Sequence, residues 1–152
     1  MAEEYGGAGG TFAHEAVILE EQAYAGNTAW AKGVHEIVTH YIVGCATPEQ
    51  KKRWLEPLLA GEIRSAYAMT EPDVASSDAK NIRTRAVRDG KDWVINGEKF
   101  YISGAGDPRC KVMIVMVRTS DDGPASSQQS QILVPMDTPG VKILGPMHVF
   151  SE

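Results

Sequence analysis

The spacing of apolar residues in the first 61 positions predicts three helices. After Thr11, apolar side chains recur at three- and four-residue steps as far as Ala23, which places them on one helical face. A second stripe with the same spacing consists of Trp30, Val34, Ile37, Val38 and Tyr41. The segment 47–50, Thr-Pro-Glu-Gln, combines a capping box with proline at the first helical position, so a third helix begins there and Gly61 closes it.

The period changes near residue 64, where alternation replaces the helical spacing. Asp89-Gly90 and Asn96-Gly97 tolerate the positive φ of tight hairpin turns. The strands predicted around them cover residues 65–69, 82–87, 93–95, 99–102, 112–117, 131–135 and 141–144. The pattern therefore predicts a helical domain over residues 1–63, followed by an antiparallel meander in a β domain over residues 64–152.

Composition and charge exclude several classes of protein. The chain has 152 residues and is 43% hydrophobic, which suffices for a sizeable core. Its net charge of −5 argues against nucleic-acid binding, which depends on lysines and arginines at phosphates. No apolar run approaches the ~18 residues of a membrane span, and no targeting signal is present, so we expect a soluble chain.

Metal and thiol chemistry also lack support in the sequence. Cys45 and Cys110 stand alone, without the C-x-x-C spacing of zinc sites or a disulfide framework. His35 and His40 are five residues apart, which does not bring them to one face of a helix. We therefore expect no metal site.

Two segments carry the candidate chemistry. Residues 67–78 read Y-A-M-T-E-P-D-V-A-S-S-D, and residues 99–103 read K-F-Y-I-S. Together they resemble the paired flavin-binding stretches of acyl-CoA dehydrogenases, where Y-x-x-T-E-P-G-A-G-S-D is followed by K-x-W-I-T. The resemblance covers nearly the whole chain, from E-Y-G-G-A-G at 4–9 to T-P-G-V at 138–141. The sequence is therefore similar to acyl-CoA dehydrogenases over most of its length.

The resemblance implies a set of FAD-binding residues. They are Tyr67, Ala68, Met69, Thr70, Ser76, Ser77, Tyr101, Ile102 and Ser103. These residue types match the chemistry of FAD. The flavin ring needs backbone groups and a hydroxyl at its polar edge, and an aromatic side chain on its face. The pyrophosphate needs backbone amides and serine hydroxyls, which residues 74–77 offer.

This sequence departs from the family pattern at three places. Residues 73–78, D-V-A-S-S-D, are one residue longer than the usual turn and contain no glycine, so the family serine is either Ser76 or Ser77. Alignment on Asp78 selects Ser77, to which the resemblance also assigns contact with the acyl-CoA substrate. Tyr101 stands in place of tryptophan and Ser103 in place of threonine. The D-V-A-S-S-D form resembles the branch called acyl-CoA dehydrogenase family members ten and eleven, which implies long saturated acyl-CoA substrates.

The resemblance implies an activity, partners and a fold. The activity is FAD-dependent α,β-dehydrogenation of fatty acyl-CoA in fatty acid β-oxidation, with electron-transferring flavoprotein as acceptor, a homo-oligomer as the assembly, and a mitochondrial or peroxisomal location. The implied fold is α+β, with a partial helical N-terminal domain, an antiparallel β-barrel-like middle domain, and a C-terminal helical bundle missing from the chain. Because that bundle supplies the glutamate base, we expect the base beyond residue 152 and assign no catalytic residue within the chain. The alternative is a non-catalytic flavin-binding or assembly module.

Overall fold

The computed structural model describes residues 3–27, 33–75 and 78–148. The chain divides into two compact units, residues 1–64 and residues 65–152. Helices make up the first unit and a five-stranded sheet makes up the second, which confirms the expected α+β class.

The first helix, α1, spans Phe12–Tyr24 and begins directly after Thr11, as predicted. The Thr11 backbone N–H donates to His14 Nδ1 at 3.1 Å, which satisfies one of the donors that a helix start leaves open. No residue of α1 is buried, so its apolar face stays exposed.

The second helix, α2, spans Gly33–Cys45 and buries Val38, Thr39 and Ile42. Of the predicted stripe, Val38 is buried, while Ile37 and Tyr41 are exposed. Val38 and Ile42 lie one turn apart and form the core with two leucines of the next helical segment. Trp30, the first residue of the predicted stripe, lies outside the described residues.

The third helical segment consists of α3 (Pro48–Gln50), a π-helical stretch (Lys51–Leu55) and α4 (Glu56–Leu59). The capping box is confirmed, since Thr47 N donates to Gln50 Oε1 at 3.0 Å and Gln50 N donates to Thr47 Oγ1 at 3.3 Å. The widened π turn lies just before Pro57, which has no backbone N–H to give to a regular helical bond. Gly61 ends the segment with φ +75°, as predicted.

His35 connects α2 to the third helical segment and is expected to make the helical unit sensitive to pH. Its Nε2 donates to the Leu58 carbonyl oxygen at 3.0 Å, while its Nδ1 is buried with no hydrogen-bond partner among the described residues. Burial lowers the pKa of this imidazole, the hydrogen bond to Leu58 opposes the shift, and the charge of Arg64 adds to it. The folded unit therefore favours the neutral ring.

We expect the thermal midpoint of the helical signal to fall as the pH is lowered from about 7.5 to about 5, because protons then bind the unfolded chain more tightly than the folded one. Circular dichroism of the chain and of His35→Gln, which keeps a donor but does not titrate, checks this. His40→Gln, a change on the exposed side of the same helix, is the matched control. An equal pH dependence in the native and His35→Gln chains would contradict the assignment.

The strands of the sheet are β1 (Arg64–Ala68), β2 (Arg85–Asp89), β3 (Asp92–Asn96), β4 (Cys110–Arg118) and β5 (Gln129–Pro135). The predicted β2–β3 hairpin forms, but Asp89 pairs with Asp92, so the turn consists of Gly90 and Lys91 rather than Asp89-Gly90, with Gly90 at φ +59°. The apolar run expected at 112–117 lies within β4, which pairs antiparallel with β5 along its length and also neighbours β1 and β2.

The expected antiparallel, barrel-like sheet is wrong in two respects. The sheet is mixed, because β2 runs parallel to β4 where Arg85 pairs with Arg118, and it is open. The predicted strands at 99–102 and 141–144 do not form. In the first of these, the Phe100 N–H donates to the Thr70 carbonyl oxygen at 3.1 Å, so the chain after β3 bonds to the segment that follows β1 rather than to β3.

The core of the second unit reaches both candidate segments. A cluster of buried residues contains Ala68, Ala86, Val115, Val117 and Val134, and Ile102 packs against it. Ala68 belongs to the first segment and Ile102 to the second. Burial of apolar side chains therefore holds the two segments to the same part of the core.

Candidate functional site

The first candidate segment begins with the last two residues of β1 and continues beyond the strand. Ala68 is buried, and Tyr67, Met69 and Thr70 are half-buried. The Tyr67 hydroxyl accepts a hydrogen bond from Gln131 Nε2 at 3.1 Å. Gln131, on β5, was not among the residues found from the sequence, since no local pattern indicates that its side chain reaches β1.

Reciprocal hydrogen bonds join the two candidate segments at Thr70. The Thr70 carbonyl oxygen accepts from the Phe100 N–H, and the Thr70 hydroxyl donates to the Phe100 carbonyl oxygen. Thr70 and Tyr101 are therefore held close together although 31 positions separate them in the sequence.

We call the place where the hydrogen bonds between Thr70 and Phe100 join the two segments the junction. A buried ion pair lies beside it. Lys99 Nζ is 2.8 Å from Glu71 Oε1 and donates to the Met69 carbonyl oxygen at 2.9 Å. The exposed fractions of the two side chains are 10% for Lys99 and 5% for Glu71. Both residues lie within the two motifs, and neither was predicted to have a role. The sequence did place an acidic residue directly after the predicted site residue Thr70 and a basic residue two positions before Tyr101.

Glu71 also anchors the chain that leads into β2. Its Oε2 accepts from the Arg83 N–H at 2.7 Å, and its Oε1 accepts from the Thr84 N–H at 2.9 Å. Burial opposes ionisation of Glu71, but hydrogen bonds from Lys99 and from the backbone N–H groups of Arg83 and Thr84 lower its pKa to about 2. Burial lowers the pKa of Lys99, and Glu71 opposes that shift. The pair is ionised near neutral pH, and Glu71 acts there as an anchor rather than a proton acceptor.

Gly97 allows the chain after β3 to pass close to Thr84. A Cβ added at Gly97 would lie 2.3 Å from Thr84 Oγ1 and 2.7 Å from Thr84 Cβ. Thr84 is buried and donates its N–H to Glu71. Glycine is therefore required at position 97 for the residues after β3 to pass so near the anchor of Glu71.

Tyr101 has an unusual backbone conformation. With φ at +54°, it is the one residue other than glycine with positive φ in the described part of the chain. Its side chain is 55% exposed, and its ring centroid lies 4.7 Å from that of Phe100. Bulky residues avoid this region, and such conformations cluster at functional sites, held by surrounding contacts. An aromatic side chain is thus presented to solvent at the junction.

The remaining predicted residues divide into two groups. Ile102 is half-buried in the core, while Ser103 is exposed. Ser76 and Ser77, predicted for the pyrophosphate and for the acyl-CoA, lie outside the described residues. Just after them, Asp78 Oδ1 accepts from the Lys80 N–H at 3.1 Å.

Residues 3–27, 33–75 and 78–148 contain no group of three His, Cys, Asp or Glu side chains that could hold a metal ion. Nor do they include a helix with the length and apolar character needed to cross a membrane. His35 and His40 each contact a backbone carbonyl, of Leu58 and of Glu36.

The junction combines features suited to a flat, heteroaromatic ligand. It offers an exposed aromatic ring at Tyr101, a hydroxyl at Thr70 and backbone groups of an irregular segment near an apolar core. Such sites bind ligands through apolar contact, with a few polar groups that fix orientation.

Comparisons with known proteins place both units in one family. Residues 66–150 match the family described as "Acyl-CoA dehydrogenase, middle domain", and residues 1–62 match "Acyl-CoA dehydrogenase, N-terminal domain". The chain is 61% identical over 105 residues to "Probable acyl-CoA dehydrogenase FadE2" of Mycobacterium tuberculosis, covering 69% of this chain and 26% of that protein.

The expected resemblance to family members ten and eleven is confirmed. The chain is 44% identical over 144 residues to "Acyl-CoA dehydrogenase family member 10" of Mus musculus, covering 92% of this chain and 13% of that protein. Its structure is similar to the crystal structure of acyl-CoA dehydrogenase from Geobacillus kaustophilus, with a TM-score of 0.79 and 38% identity over 92% of this chain and 37% of that one. The chain therefore spans about a quarter or less of these two curated relatives.

Proposed function

Because the chain belongs to the acyl-CoA dehydrogenase family, we propose that residues 67–70 and 101–103 hold the isoalloxazine ring of FAD for the α,β-dehydrogenation of fatty acyl-CoA. The observation that carries the proposal is the pair of hydrogen bonds between Thr70 and Phe100, which brings the two segments together. Members of this family bind FAD.

The residues at the junction fit such a cofactor. The Thr70 hydroxyl gives its proton to the Phe100 carbonyl, so the oxygen keeps acceptor capacity for a ring N–H. The exposed Tyr101 ring is available to stack on a flat ligand. FAD, when bound, would supply a hydride acceptor. We propose Ser76 and Ser77 for the pyrophosphate, and Ser77 also for the acyl-CoA.

We further propose that the base that removes the α-proton is not among the described residues. Glu71 is the only carboxylate buried in the described ranges, and its pKa of about 2 makes it a weak base that is already bound to Lys99. The proposed base lies beyond residue 152, as the resemblance implies. Electron-transferring flavoprotein as acceptor, β-oxidation as the role, a homo-oligomeric assembly and a mitochondrial or peroxisomal location belong to the same proposal.

Thr70→Val is expected to weaken the binding of FAD to the 152-residue chain by about tenfold, the effect of losing one buried hydrogen-bonding group. A titration that follows flavin fluorescence measures the dissociation constant. Thr39→Val is the matched control, because Thr39 is a buried threonine of α2 whose hydroxyl also donates to a backbone carbonyl, that of Glu36 at 2.8 Å. Equal FAD affinity in the native and Thr70→Val chains would remove Thr70 from the site.

A further inference from the structure

Lys99 forms hydrogen bonds with both sequence neighbours of Thr70. Its ammonium group donates to the carbonyl oxygen of Met69, the residue before Thr70, and to the carboxylate of Glu71, the residue after it. One side chain therefore fixes the two neighbours of Thr70. Since Lys99 directly precedes Phe100, the same residue fixes the start of the segment that carries Tyr101.

Glu71 connects the two candidate segments to a third one, the chain that precedes β2. Its carboxylate accepts from the backbone N–H groups of Arg83 and Thr84, which precede β2. The close approach of Gly97 to Thr84 brings the chain after β3 against the same point. Three segments distant in sequence thus meet at one ion pair, and none of them is part of a regular strand at that point.

The conformation of Tyr101 requires such support. A bulky residue with φ at +54° is held in a sparsely populated conformation, which persists only when neighbouring contacts determine it. The contacts that precede it are the Lys99 ion pair and the Thr70–Phe100 hydrogen bonds. Loss of the pair would release the segment on which the exposed ring is presented.

We propose that Lys99 and Glu71 are positioning residues, whose ion pair fixes the register between Thr70 and Tyr101 and so sets the geometry in which FAD is held. This inference rests on the proposed function. Neither residue needs to touch the cofactor. Buried ion pairs are replaceable by neutral side chains at modest cost in stability, so a role in geometry is separable from a role in holding the fold.

The variant that separates the two roles is Lys99→Met combined with Glu71→Gln. It removes both charges, so that no charged side chain is left buried alone, and it removes the donor that connects Met69 to residue 99. We expect this double variant to be folded, to bind FAD roughly tenfold more weakly than the native chain, and to show a reduced visible circular dichroism signal of the flavin at saturation. That signal depends on a fixed ring orientation rather than on fold stability.

Two controls accompany the double variant. Lys111→Met makes the same chemical change at an exposed lysine, whose Nζ contacts the Pro108 carbonyl oxygen. Val112→Ala lowers stability by opening space at a fully buried position of β4. Both are expected to match the native chain in FAD affinity and in flavin circular dichroism below their thermal midpoints.

The outcomes are distinct. If the native chain binds FAD and the double variant binds it with equal affinity and an equal flavin signal, the positioning role is overturned while the proposed function stands. If Val112→Ala loses affinity as much as the double variant does, the effect reflects stability, which also overturns it. Failure of the native chain to bind FAD would overturn the proposed function, and with it this inference.

Discussion

Replacement of Lys99 by methionine is expected to lower the free energy of unfolding of the sheet unit by ~3–5 kcal/mol at neutral pH, the usual cost of removing one partner of a buried ion pair. The methionine keeps the volume of the lysine stem but leaves the Glu71 carboxylate, 5% exposed, without its counter-ion. Two backbone N–H groups still donate to it, which reduces the cost without cancelling the charge. Denaturant unfolding of the native and Lys99→Met chains measures the difference.

Neutralising Glu71 in the same chain tests the physical reason. The double variant Lys99→Met/Glu71→Gln is expected to be more stable than Lys99→Met alone, because the stranded charge is gone. A loss of less than ~1 kcal/mol in Lys99→Met, the size of an exposed pair, would show that the pair is not buried in solution.

The pH dependence of the native chain reports on the same carboxylate. Below pH 4.5 the native chain should lose stability as the pH falls towards 2, since the pKa of Glu71 is depressed to about 2 in the folded state.

The purified 152-residue chain, supplied with FAD, is expected to dehydrogenate fatty acyl-CoA at least ~10²–10⁴-fold more slowly than a complete relative. That factor is the usual contribution of one positioned general base. In the described residues, the one buried carboxylate is bound by Lys99 and two backbone amides, which leaves it a poor proton acceptor. Reduction of an artificial electron acceptor measures the rate.

The acyl-CoA dehydrogenase of Geobacillus kaustophilus, whose structure this chain resembles, serves as the positive control for that assay. Turnover by the chain within tenfold of the control, with an acyl-CoA that both accept, would contradict the account. A base would then have to be sought among the residues of this chain. If FAD binds and turnover is absent, the chain behaves as a flavin-binding module of this family.

Local chemistry made much of the fold predictable from the sequence. Thr47 and Gln50 form a capping box because their side chains each reach the other's backbone N–H within one turn. The β2–β3 hairpin follows from Gly90, since glycine takes the φ of +59° that the turn needs. The two candidate segments were found by their resemblance to a family, and the contacts at Thr70 bring them together.

The remaining features depend on contacts between distant residues. Asn96-Gly97 has the composition of a hairpin turn, but Gly97 is needed for its close approach to Thr84, and the chain goes on to pair with Thr70. The parallel pairing of β2 with β4 rests on the single residue pair of Arg85 with Arg118, which leaves no periodic trace in either strand. The Glu71–Lys99 pair was missed for a similar reason, since burial of charges is not visible in a local pattern.

The central claim is that FAD binds where residues 67–70 meet residues 101–103. Backbone amide chemical shifts of the 152-residue chain, recorded by nuclear magnetic resonance as FAD is added, test it most directly. The account predicts that the largest changes occur at Met69–Glu71 and at Phe100–Ser103, beside the Thr70–Phe100 hydrogen bonds. Changes confined to the helical residues 12–59, or no change at FAD concentrations that saturate other members of the family, would contradict it.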